Sequence, residues 1–299
     1  MGRLLVIGAT GMLGSAVISL AVERGIDVVG TTTDLRLASE TLAPRLIEYK
    51  YSSTAGTAVF DELGCHDYVI NCSGLIKHRI DDQVLEQRRA AVELNALFPH
   101  AIAALAEMRG FRVVQIATDC VFSGIRGGYS EADLHDAGDV YGQTKSLGEV
   151  PSRNCMHIRC SIVGKELRSH RSLLDWAVMQ KPDSSISGYV DHLWNGVSTR
   201  AFARVAIGLL EAGQWEDGIF HLVPADVVTK YELLKLILRE FDREDISLHP
   251  MVTPQSVDRS LRTIHGSVNE RMWIAGGFET PPTIAEMISD LASENRNSE

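Results

Sequence analysis

Residues 3–14, RLLVIGATGMLG, join a short apolar run to three glycines that are spaced three residues apart. An apolar run that ends in a glycine-rich turn and then becomes helical predicts a buried strand, a tight turn and a helix. Such a turn presents backbone N–H groups and a helix N-terminus to a pyrophosphate. The candidate contacts in this stretch are Gly8, Thr10, Gly11, Met12, Leu13 and Gly14.

Alternating strand and helix patterns follow this turn. Near-continuous apolar strands separated by amphipathic segments indicate a parallel sheet with helices on both faces. The predicted strands cover residues 3–7, 26–31, 45–49, 68–71, 112–117, 156–159 and 219–223, and the predicted helices cover about 12–24, 82–108, 199–211 and 230–241. Pro99 is expected to kink the second helix or to begin a new one. Residues 164–197 are predicted to be rich in loops.

These patterns predict an α/β fold, a Rossmann-like doubly wound parallel sheet with a smaller C-terminal substrate-binding annex. The dinucleotide-binding domain is expected to comprise residues 1–163 plus about 199–223. The substrate-binding annex is expected to comprise about 164–198 plus 224–299. A chain of 299 residues is long enough to bury the core of such a molecule.

Composition and charge exclude several classes of function. The net charge of −10 argues against a nucleic-acid surface, where phosphates require clustered Lys and Arg. No apolar run approaches the roughly 20 residues that span a bilayer, and the first strand begins so early that we expect no signal peptide. Five cysteines without a C-x-x-C pair indicate reduced thiols and a cytoplasmic protein. No residue spacing resembles a metal site.

A second motif, YGQTK at residues 141–145, places Tyr141 and Lys145 on one face of a helix. A free tyrosine has a pKa of about 10 and is a weak acid near neutrality. A lysine cation one turn away is expected to favour the phenolate and to lower that pKa. The order of the two motifs, a phosphate-binding turn and then a tuned phenol, predicts a bound dinucleotide with a proton donor beside it.

Five stretches together resemble the extended short-chain dehydrogenase/reductases, and within them the dTDP-4-dehydrorhamnose reductase-like branch. They are the glycine-rich turn, NCSG at residues 71–74, TDCVFSG at residues 118–124, YGQTKSLGE at residues 141–149 and, more loosely, DRSLRT at residues 258–263. The resemblance is detailed over residues 1–163 and loose beyond them.

This resemblance implies NADP-dependent reduction of a 4-keto nucleotide sugar in deoxysugar or polysaccharide synthesis. It implies catalytic roles for Thr118, Tyr141 and Lys145, with Lys145 also holding the cofactor ribose, and a helical Asn95 that orders water. The implied cofactor contacts after the fourth strand are Asn71, Cys72, Ser73 and Gly74. The implied substrate contacts are Lys77, Cys120, Val121, Phe122, Trp194, Asn195 and Arg259.

The choice of cofactor depends on the end of the second predicted strand, where Thr31 to Thr33 precede Asp34 and Arg36. Hydroxyl groups and a guanidinium suit the 2′-phosphate of NADP, whereas an acid at this place suits the ribose of NAD. We therefore predict NADP, with Thr31 and Arg36 as contacts, and leave NAD open because of Asp34.

Several alternatives stay open at this point. A 4,6-dehydratase is disfavoured, because those relatives carry Asp and Glu after the threonine and Cys120 stands at the Glu position. Cys120 could support an epimerase/reductase of the GDP-fucose synthase type, with His170 or His192 opposite, if Lys145 lowers the pKa of its thiol. A non-catalytic, dinucleotide-binding regulatory subunit is the alternative from another class. Lys77 could instead be solvated, and Trp194 and Asn195 could instead anchor the annex. The expected partner is a nucleotide sugar, and a homodimer is the expected assembly.

Overall fold

The structure, a computed structural model, describes residues 2–37, 42–52, 57–167 and 170–298, with side chains up to residue 293. Its strands are β1 Leu4–Ile7, β2 Val28–Thr32, β3 Leu46–Glu48, β4 Tyr68–Asn71, β5 Arg112–Thr118, β6 Cys155–Cys160, β7 Ile162–Val163, β8 Ser185–Tyr189, β9 His192–Trp194, β10 Val197–Ser198, β11 Gly218–His221, β12 Val228–Thr229, β13 Ser247–Met251 and β14 Val257–Asp258. Its α-helices are α1 Met12–Glu23, α2 Leu85–Ala91, α3 Phe98–Arg109, α4 Val140–Leu147, α5 Leu173–Val178, α6 Thr199–Glu211, α7 Lys230–Glu240, α8 Gly266–Ala275 and α9 Ile284–Ser298.

Seven strands form the central sheet in the order β11-β6-β5-β4-β1-β2-β3, and every neighbouring pair is parallel. The chain therefore winds outward from β1 in one direction to β3 and then in the other direction from β4 to β11. The order reverses between β1 and β4. In doubly wound sheets, ligands bind outside the carboxyl ends of the strands at this switch point. The prediction of a Rossmann-like sheet is confirmed.

Apolar residues cover both faces of the sheet. Leu4 and Val6 of β1 point into one hydrophobic cluster, which α1 and α6 complete, whereas Leu5 and Ile7 point into a second cluster against α3. Side chains alternate between the faces of a strand, so a strand covered on both sides needs an uninterrupted apolar run. This requirement explains the apolar stretch at the start of the chain.

The long helical segment contains a change of helix type. A π-helical stretch, Val92–Leu97, connects α2 to α3, and its buried members are Asn95 and Ala96. Pro99 lies in the first turn of α3, where a missing N–H costs little. Of the two expected outcomes, Pro99 begins a new helix, and a π-helical stretch, a feature common near functional sites, lies just before it.

Short elements fill the region that was predicted as loops. β8 pairs with β13, and β9 lies between β12 and β14 in a three-stranded sheet. Because these strands are two to five residues long, they carry too little periodicity to be recognised in the sequence. The segment after β14 contacts the segment after β5, because the Asp258 N–H donates to the Gly124 carbonyl and Arg259 donates to the carbonyls of Phe122 and Ser123. Within the described ranges, the molecule contains no helix of the length and apolarity that crossing a membrane requires.

Candidate active site

The glycine-rich turn is held by the neighbouring strand β2. Gly8 has a φ of +76°, which favours glycine, and its N–H donates to the Thr31 hydroxyl at 3.0 Å. A Cβ on Gly14 would lie 2.1 Å from the Gly8 carbonyl oxygen, so α1 can approach the turn only with glycine there. A Cβ on Gly11 would come within 4 Å of that carbonyl alone, at 3.3 Å. The glycine at position 11 therefore leaves room on the outer side of the turn.

The amino end of α1 faces this room. Gly11 is exposed and serves as the N-cap, and no described side chain caps the helix. The first N–H groups of α1 are thus available to an anion. Thr10 bonds the Thr32 hydroxyl at 2.9 Å, while the Leu13 side chain is buried in the core. Of the predicted contacts, Leu13 and Met12 could therefore serve mainly through their backbone N–H groups.

A cavity of about 360 Å³ lies beyond the end of β2, lined by Thr33, Asp34, Leu35, Arg36 and Glu48. The Arg36 guanidinium is highly exposed and bonds both carboxylate oxygens of Asp34, at 2.9 and 2.8 Å. Thr31 is buried, and its hydroxyl accepts the Gly8 N–H. The prediction that Thr31 contacts a cofactor is therefore wrong for its side chain, which supports the turn instead.

The segment after β4 lies against the glycine-rich turn. Asn71 is fully buried, donates to Gln115 at 2.8 Å and accepts from the Ser73 hydroxyl at 2.6 Å. It therefore cannot touch a ligand as predicted, and it orients Ser73 instead. Ser73 lies close to Gly8, because a Cβ on Gly8 would be 3.2 Å from the Ser73 Cα. Gly74 is exposed.

Cys72, from the same predicted set of cofactor contacts, is partly buried. Burial raises the pKa of its thiol to about 12, so that Cys72 is neutral. It lies beside the crevice, by which we mean the space outside the carboxyl ends of the strands at the switch point.

The buried Asn95 on the π-helical stretch connects two parts of the site. Its side-chain oxygen accepts the Leu75 N–H at 2.8 Å, and its amide donates to the Leu75 carbonyl at 2.9 Å and to the Thr144 hydroxyl at 3.2 Å. Thr144 precedes Lys145 on α4. Asn95 thus connects, by hydrogen bonds, the loop after β4 to α4, the helix that carries Tyr141 and Lys145.

The three predicted catalytic residues come together at the carboxyl end of β5. Thr118 ends β5, and its hydroxyl lies close enough to the Tyr141 phenol to influence the pKa of that phenol. Lys145 is buried, and its ammonium donates to the Ile116 carbonyl at 3.0 Å. Asp139 caps α4 by accepting the Gly142 N–H at 2.8 Å, which fixes the start of the helix. A phenol, a hydroxyl and an ammonium therefore converge beside the switch point.

Burial dominates the charge of these groups. It raises the pKa of the Tyr141 phenol well above its usual value, and the nearby Cys120 acts in the same direction, whereas the nearby Thr118 acts against the rise. Burial lowers the pKa of Lys145 to about 8, against the attraction of Glu149. The expectation that Lys145 lowers the pKa of Tyr141 is therefore wrong, because burial outweighs it and keeps the phenol neutral.

Cys120 does not have the surroundings of a reactive thiolate. Burial raises the pKa of its thiol to about 12, and the carboxylate of Asp119 contributes. The expected lowering by Lys145 is absent among the described interactions. His192 bonds Thr253 at 3.1 Å, and His170 bonds Asp175 at 3.3 Å. The two histidines expected opposite Cys120 are thus occupied elsewhere.

Several predicted substrate contacts are core residues. Val121 and Phe122 are fully buried in a cluster with Tyr129 and Leu261, so the prediction of substrate contact is wrong for their side chains. Asn195 is buried and makes two hydrogen bonds to the backbone of Leu261, at 2.6 and 2.8 Å. It therefore positions the segment after β14 rather than a ligand.

Trp194 also serves as an anchor. It is 4% exposed, and its indole N–H donates to Ser161 at 2.8 Å. The interpretation as an anchor of the annex thus fits better than stacking on a base.

Lys77 and Arg259 remain at the surface of the crevice. The Lys77 ammonium bonds Asp139 at 2.7 Å and is 61% exposed. Arg259 donates to the carbonyls of Phe122 and Ser123, at 2.9 and 3.1 Å. The charges of both cations act against the rise in the pKa of Cys120, so they lie near the turn that follows Thr118.

Two charged residues of the site were missed in the sequence. Asp119 is buried beside Thr118, whose hydroxyl donates to it at 3.2 Å, and burial raises the pKa of its carboxyl. Lys230 is the first residue of α7, in the predicted annex. Its charge acts against the rise in the pKa of Asp119. The capping pattern T-x-x-E at residues 229–232 could have placed Lys230 at a helix start, but not beside β5.

Comparison with known proteins shows what the chain is similar to. Residues 2–296 match the family described as the RmlD substrate binding domain. The chain is 29% identical over 260 residues to methionine adenosyltransferase 2 subunit beta of Danio rerio, covering 83% of this chain and 77% of that protein. It is 21% identical over 286 residues to dTDP-4-dehydrorhamnose reductase of Mycobacterium tuberculosis, covering 92% and 88%. The dTDP-4-dehydrorhamnose reductase of Bacillus anthracis, solved in complex with NADP, superposes with a TM-score of 0.74 at 19% identity, covering 98% of this chain and 99% of that one.

Proposed function

The chain belongs to the family of the RmlD substrate binding domain, and on that premise we propose that it reduces a 4-keto nucleotide sugar with NADPH. The observation that carries this proposal is the convergence of Thr118, Tyr141 and Lys145 at the carboxyl end of β5. The reductase of Mycobacterium tuberculosis and the NADP complex from Bacillus anthracis support the substrate class and the cofactor. The proposal makes the chain a short-chain-type oxidoreductase.

The residues of the crevice fit a dinucleotide. The open side of Gly11 and the uncapped start of α1 suit a diphosphate, and the cavity at Arg36 suits the adenosine end. We propose NADP because a guanidinium is present there, with NAD as the alternative because Asp34 and Glu48 line the same cavity. Lys145 would reach the ribose once it releases the Ile116 carbonyl. The bound cofactor would supply the hydride.

The residues of this chain would then handle the carbonyl oxygen and its proton. Thr118 would donate a hydrogen bond to the substrate carbonyl, and Tyr141 would give its phenolic proton to that oxygen as hydride arrives. A neutral phenol is the form that can donate, and burial keeps Tyr141 neutral. Lys145 would stabilise the phenolate that remains. The buried site would also keep bulk water away from this exchange.

We also propose the division of the chain into a dinucleotide-binding part and an annex, as drawn from the sequence. β11 and α6 support it, since β11 completes the parallel sheet and α6 packs on α1 in one cluster. The five free cysteines are consistent with a reducing, cytoplasmic setting, which we include in the proposal.

A second candidate function is a dinucleotide-binding subunit of another enzyme. The similarity to the subunit from Danio rerio favours it. Such a subunit would bind NADPH without turning it over. The intact Thr118, Tyr141 and Lys145 favour the enzyme.

The test is a screen of the purified protein with NADPH and a panel of 4-keto dTDP-, UDP- and GDP-sugars, followed by the absorbance of the reduced nicotinamide. Oxidation that requires one of these sugars is expected. In deuterated water we expect no deuterium at the carbons beside the former ketone, because the Cys120 thiol is neutral and His170 and His192 are bonded elsewhere. Tight binding of NADPH without turnover by any sugar would favour the subunit. Deuterium at those carbons would restore the epimerase/reductase.

A further inference from the structure

Lys230 is held at a defined place between the annex and the sheet. β12 pairs with β9 so that Val228 lies opposite Trp194, and α7 begins directly after β12. Thr229 and Glu232 form a capping box, in which the Glu232 N–H donates to the Thr229 hydroxyl and the Thr229 N–H to the Glu232 carboxylate. The backbone at Lys230 is therefore fixed from both sides.

The ammonium of Lys230 faces the turn that follows β5. It lies 5.0 Å from the centre of the Trp194 ring, which forms one wall. The other groups whose charges act on it are Asp119 and Cys120, from the turn after Thr118, and Arg259, from the segment after β14. Lys230 thus reaches from the annex to the residues that adjoin the catalytic threonine.

The charges gathered here are not paired with one another. Within the described part of the chain, the Lys230 ammonium has no hydrogen bond and no carboxylate oxygen within 4.0 Å. Arg259 uses its Nε and Nη2 for backbone carbonyls, and its Nη1 has no described acceptor. Asp119 accepts the Thr118 hydroxyl but no cation within 4.0 Å. The Asp119 carboxylate is therefore more than 4.0 Å from both cations, and we call the space between these three groups the gap.

Lys230 is only partly exposed, and an ammonium that is withdrawn from water without a hydrogen-bond acceptor is costly. Burial lowers the pKa of Lys230 to about 8, against the attraction of Asp119, so that most of it is still charged at neutral pH. A bound molecule with oxygen atoms in the gap would satisfy the donors of Lys230 and, through its own hydroxyls, the acceptor Asp119. Sugar hydroxyls both donate and accept hydrogen bonds, which suits a gap with a donor on one side and an acceptor on the other.

We propose that Lys230 is a specificity-determining residue that donates hydrogen bonds to the sugar of the bound nucleotide sugar, opposite Asp119. The inference rests on the proposed function and deepens it, because it assigns the annex a direct contact next to the reacting carbon. The position beside Thr118, Asp119 and Cys120 places this contact at the sugar rather than at the diphosphate.

The test compares three variants with the wild-type protein, using the keto sugar that the wild type reduces. Lys230→Met should raise KM for the sugar nucleotide by roughly 10- to 100-fold, as expected for the loss of a hydrogen bond from a charged donor. NADPH affinity and the inhibition constant of the free nucleoside diphosphate should stay unchanged. Lys230→Arg should restore part of the KM. Lys235→Met removes an exposed lysine of the same helix and should match the wild type.

The melting temperature of each variant separates a contact from a packing role. Lys230→Gln replaces Lys230→Met if Lys230→Met does not fold. A wild-type KM in Lys230→Met or Lys230→Gln would overturn the inference while leaving the reductase in place. A nucleoside diphosphate constant that rises in step with KM would also overturn it, because the contact would then be to phosphate. A wild-type protein that reduces no keto sugar would defeat the proposed function and this inference together.

Discussion

The Tyr141 phenol and the Lys145 ammonium lie one helical turn apart, yet different neighbours govern their charges. Burial and Cys120 raise the pKa of Tyr141, whereas burial lowers that of Lys145 and Glu149 opposes the change. A reductase needs the phenol protonated before hydride transfer and the ammonium charged after it. The free protein meets the first requirement through burial, and Lys145 meets the second because Glu149 supports its charge.

Tyr141→Phe tests this role. We expect kcat to fall by about 10²- to 10⁴-fold, the usual contribution of a positioned acid, while the Kd of NADPH changes little because only a hydroxyl is lost. Stopped-flow reduction of the keto sugar and fluorescence titration of NADPH measure the two quantities. Tyr68→Phe makes the same chemical change at the opposite end of the sheet and should leave kcat intact. Full activity in Tyr141→Phe would show that another group donates the proton.

We expect the pair Asp34 and Arg36 to decide the preference between NADPH and NADH. Arg36 must exchange its two bonds to Asp34 for a 2′-phosphate. Arg36→Ala should therefore weaken NADPH more than NADH, and Asp34→Asn should strengthen NADPH by releasing the guanidinium and removing a repelling carboxylate. Titration of both cofactors at low ionic strength measures the ratio of the two Kd values. Equal effects on both cofactors would contradict the NADP assignment.

Three asparagines show what single residues reveal before the fold is known. Asn71, Asn95 and Asn195 stand in or near motifs that suggested contact with ligand or water, and all three are buried with their amides bonded to the protein. The residue type predicts hydrogen bonding, but not the partner. The grouping of Thr118 with Tyr141 and Lys145 was implied by the family resemblance, whereas the Tyr141–Lys145 pair also follows from the i, i+4 geometry of a helix.

At the level of elements, the glycine-rich turn contains one glycine that packing requires, Gly14, and one that leaves room for a ligand, Gly11. Gly14→Ala would place a Cβ 2.1 Å from the Gly8 carbonyl, so the helix or turn must shift. We expect a loss of stability of about 1–3 kcal/mol or more. Gly11→Ala meets only one contact, at 3.3 Å, and should cost about 1 kcal/mol or less as a changed N-cap.

Relative to the stability that each variant loses, Gly11→Ala should weaken cofactor binding more than Gly14→Ala. Gly11→Ala should raise the Kd of NADPH by about tenfold or more, equal to about 1.4 kcal/mol, because its methyl group enters the space beside the turn. Denaturant unfolding and NADPH titration measure the two effects. Gly64→Ala, with no atom within 4 Å of the added carbon, is the control. Unchanged NADPH binding in a folded Gly11→Ala protein would argue that the diphosphate lies elsewhere.

The strands and helices of the central sheet could be predicted because each combines an apolar pattern with a clear end signal. α1, α6 and α7 begin within a residue or so of the predicted positions. β8, β9 and β12 could not be predicted, because their pairing joins residues far apart in the chain. The position of Lys230 beside Asp119 depends on those pairings, which is why the sequence did not reveal it.

Across the whole molecule, a buried polar network centred on Arg159 joins the sheet to the catalytic helix and to the annex. Arg159 of β6 donates to both Glu149 oxygens, just beyond α4, and to ring nitrogens of His135 and His221. His221 in turn bonds the Arg262 carbonyl, at 2.7 Å. Because each ring nitrogen facing Arg159 must accept, both histidines are neutral and carry their proton on Nδ1.

Acid should therefore weaken the whole structure through this network. Burial and Arg159 lower the pKa of His221 to about 4, and burial also lowers that of His135. The unfolded chain binds a proton at each histidine below about pH 6.5, whereas the folded protein does not, so the stability present above pH 6.5 is lost as the pH falls toward 4. The free energy of unfolding changes through His221 by about 1.4 kcal/mol per pH unit, a total of about 3 kcal/mol.

Urea unfolding between about pH 7 and pH 5, inside the range set by these pKa values, measures this slope. His221→Gln should flatten the profile, because an amide can accept from Arg159 and donate to Arg262 without titrating, whereas the exposed His249→Gln should keep the wild-type slope. If the full slope persisted in His221→Gln, the acid sensitivity would have to arise from His135 or from groups outside this network.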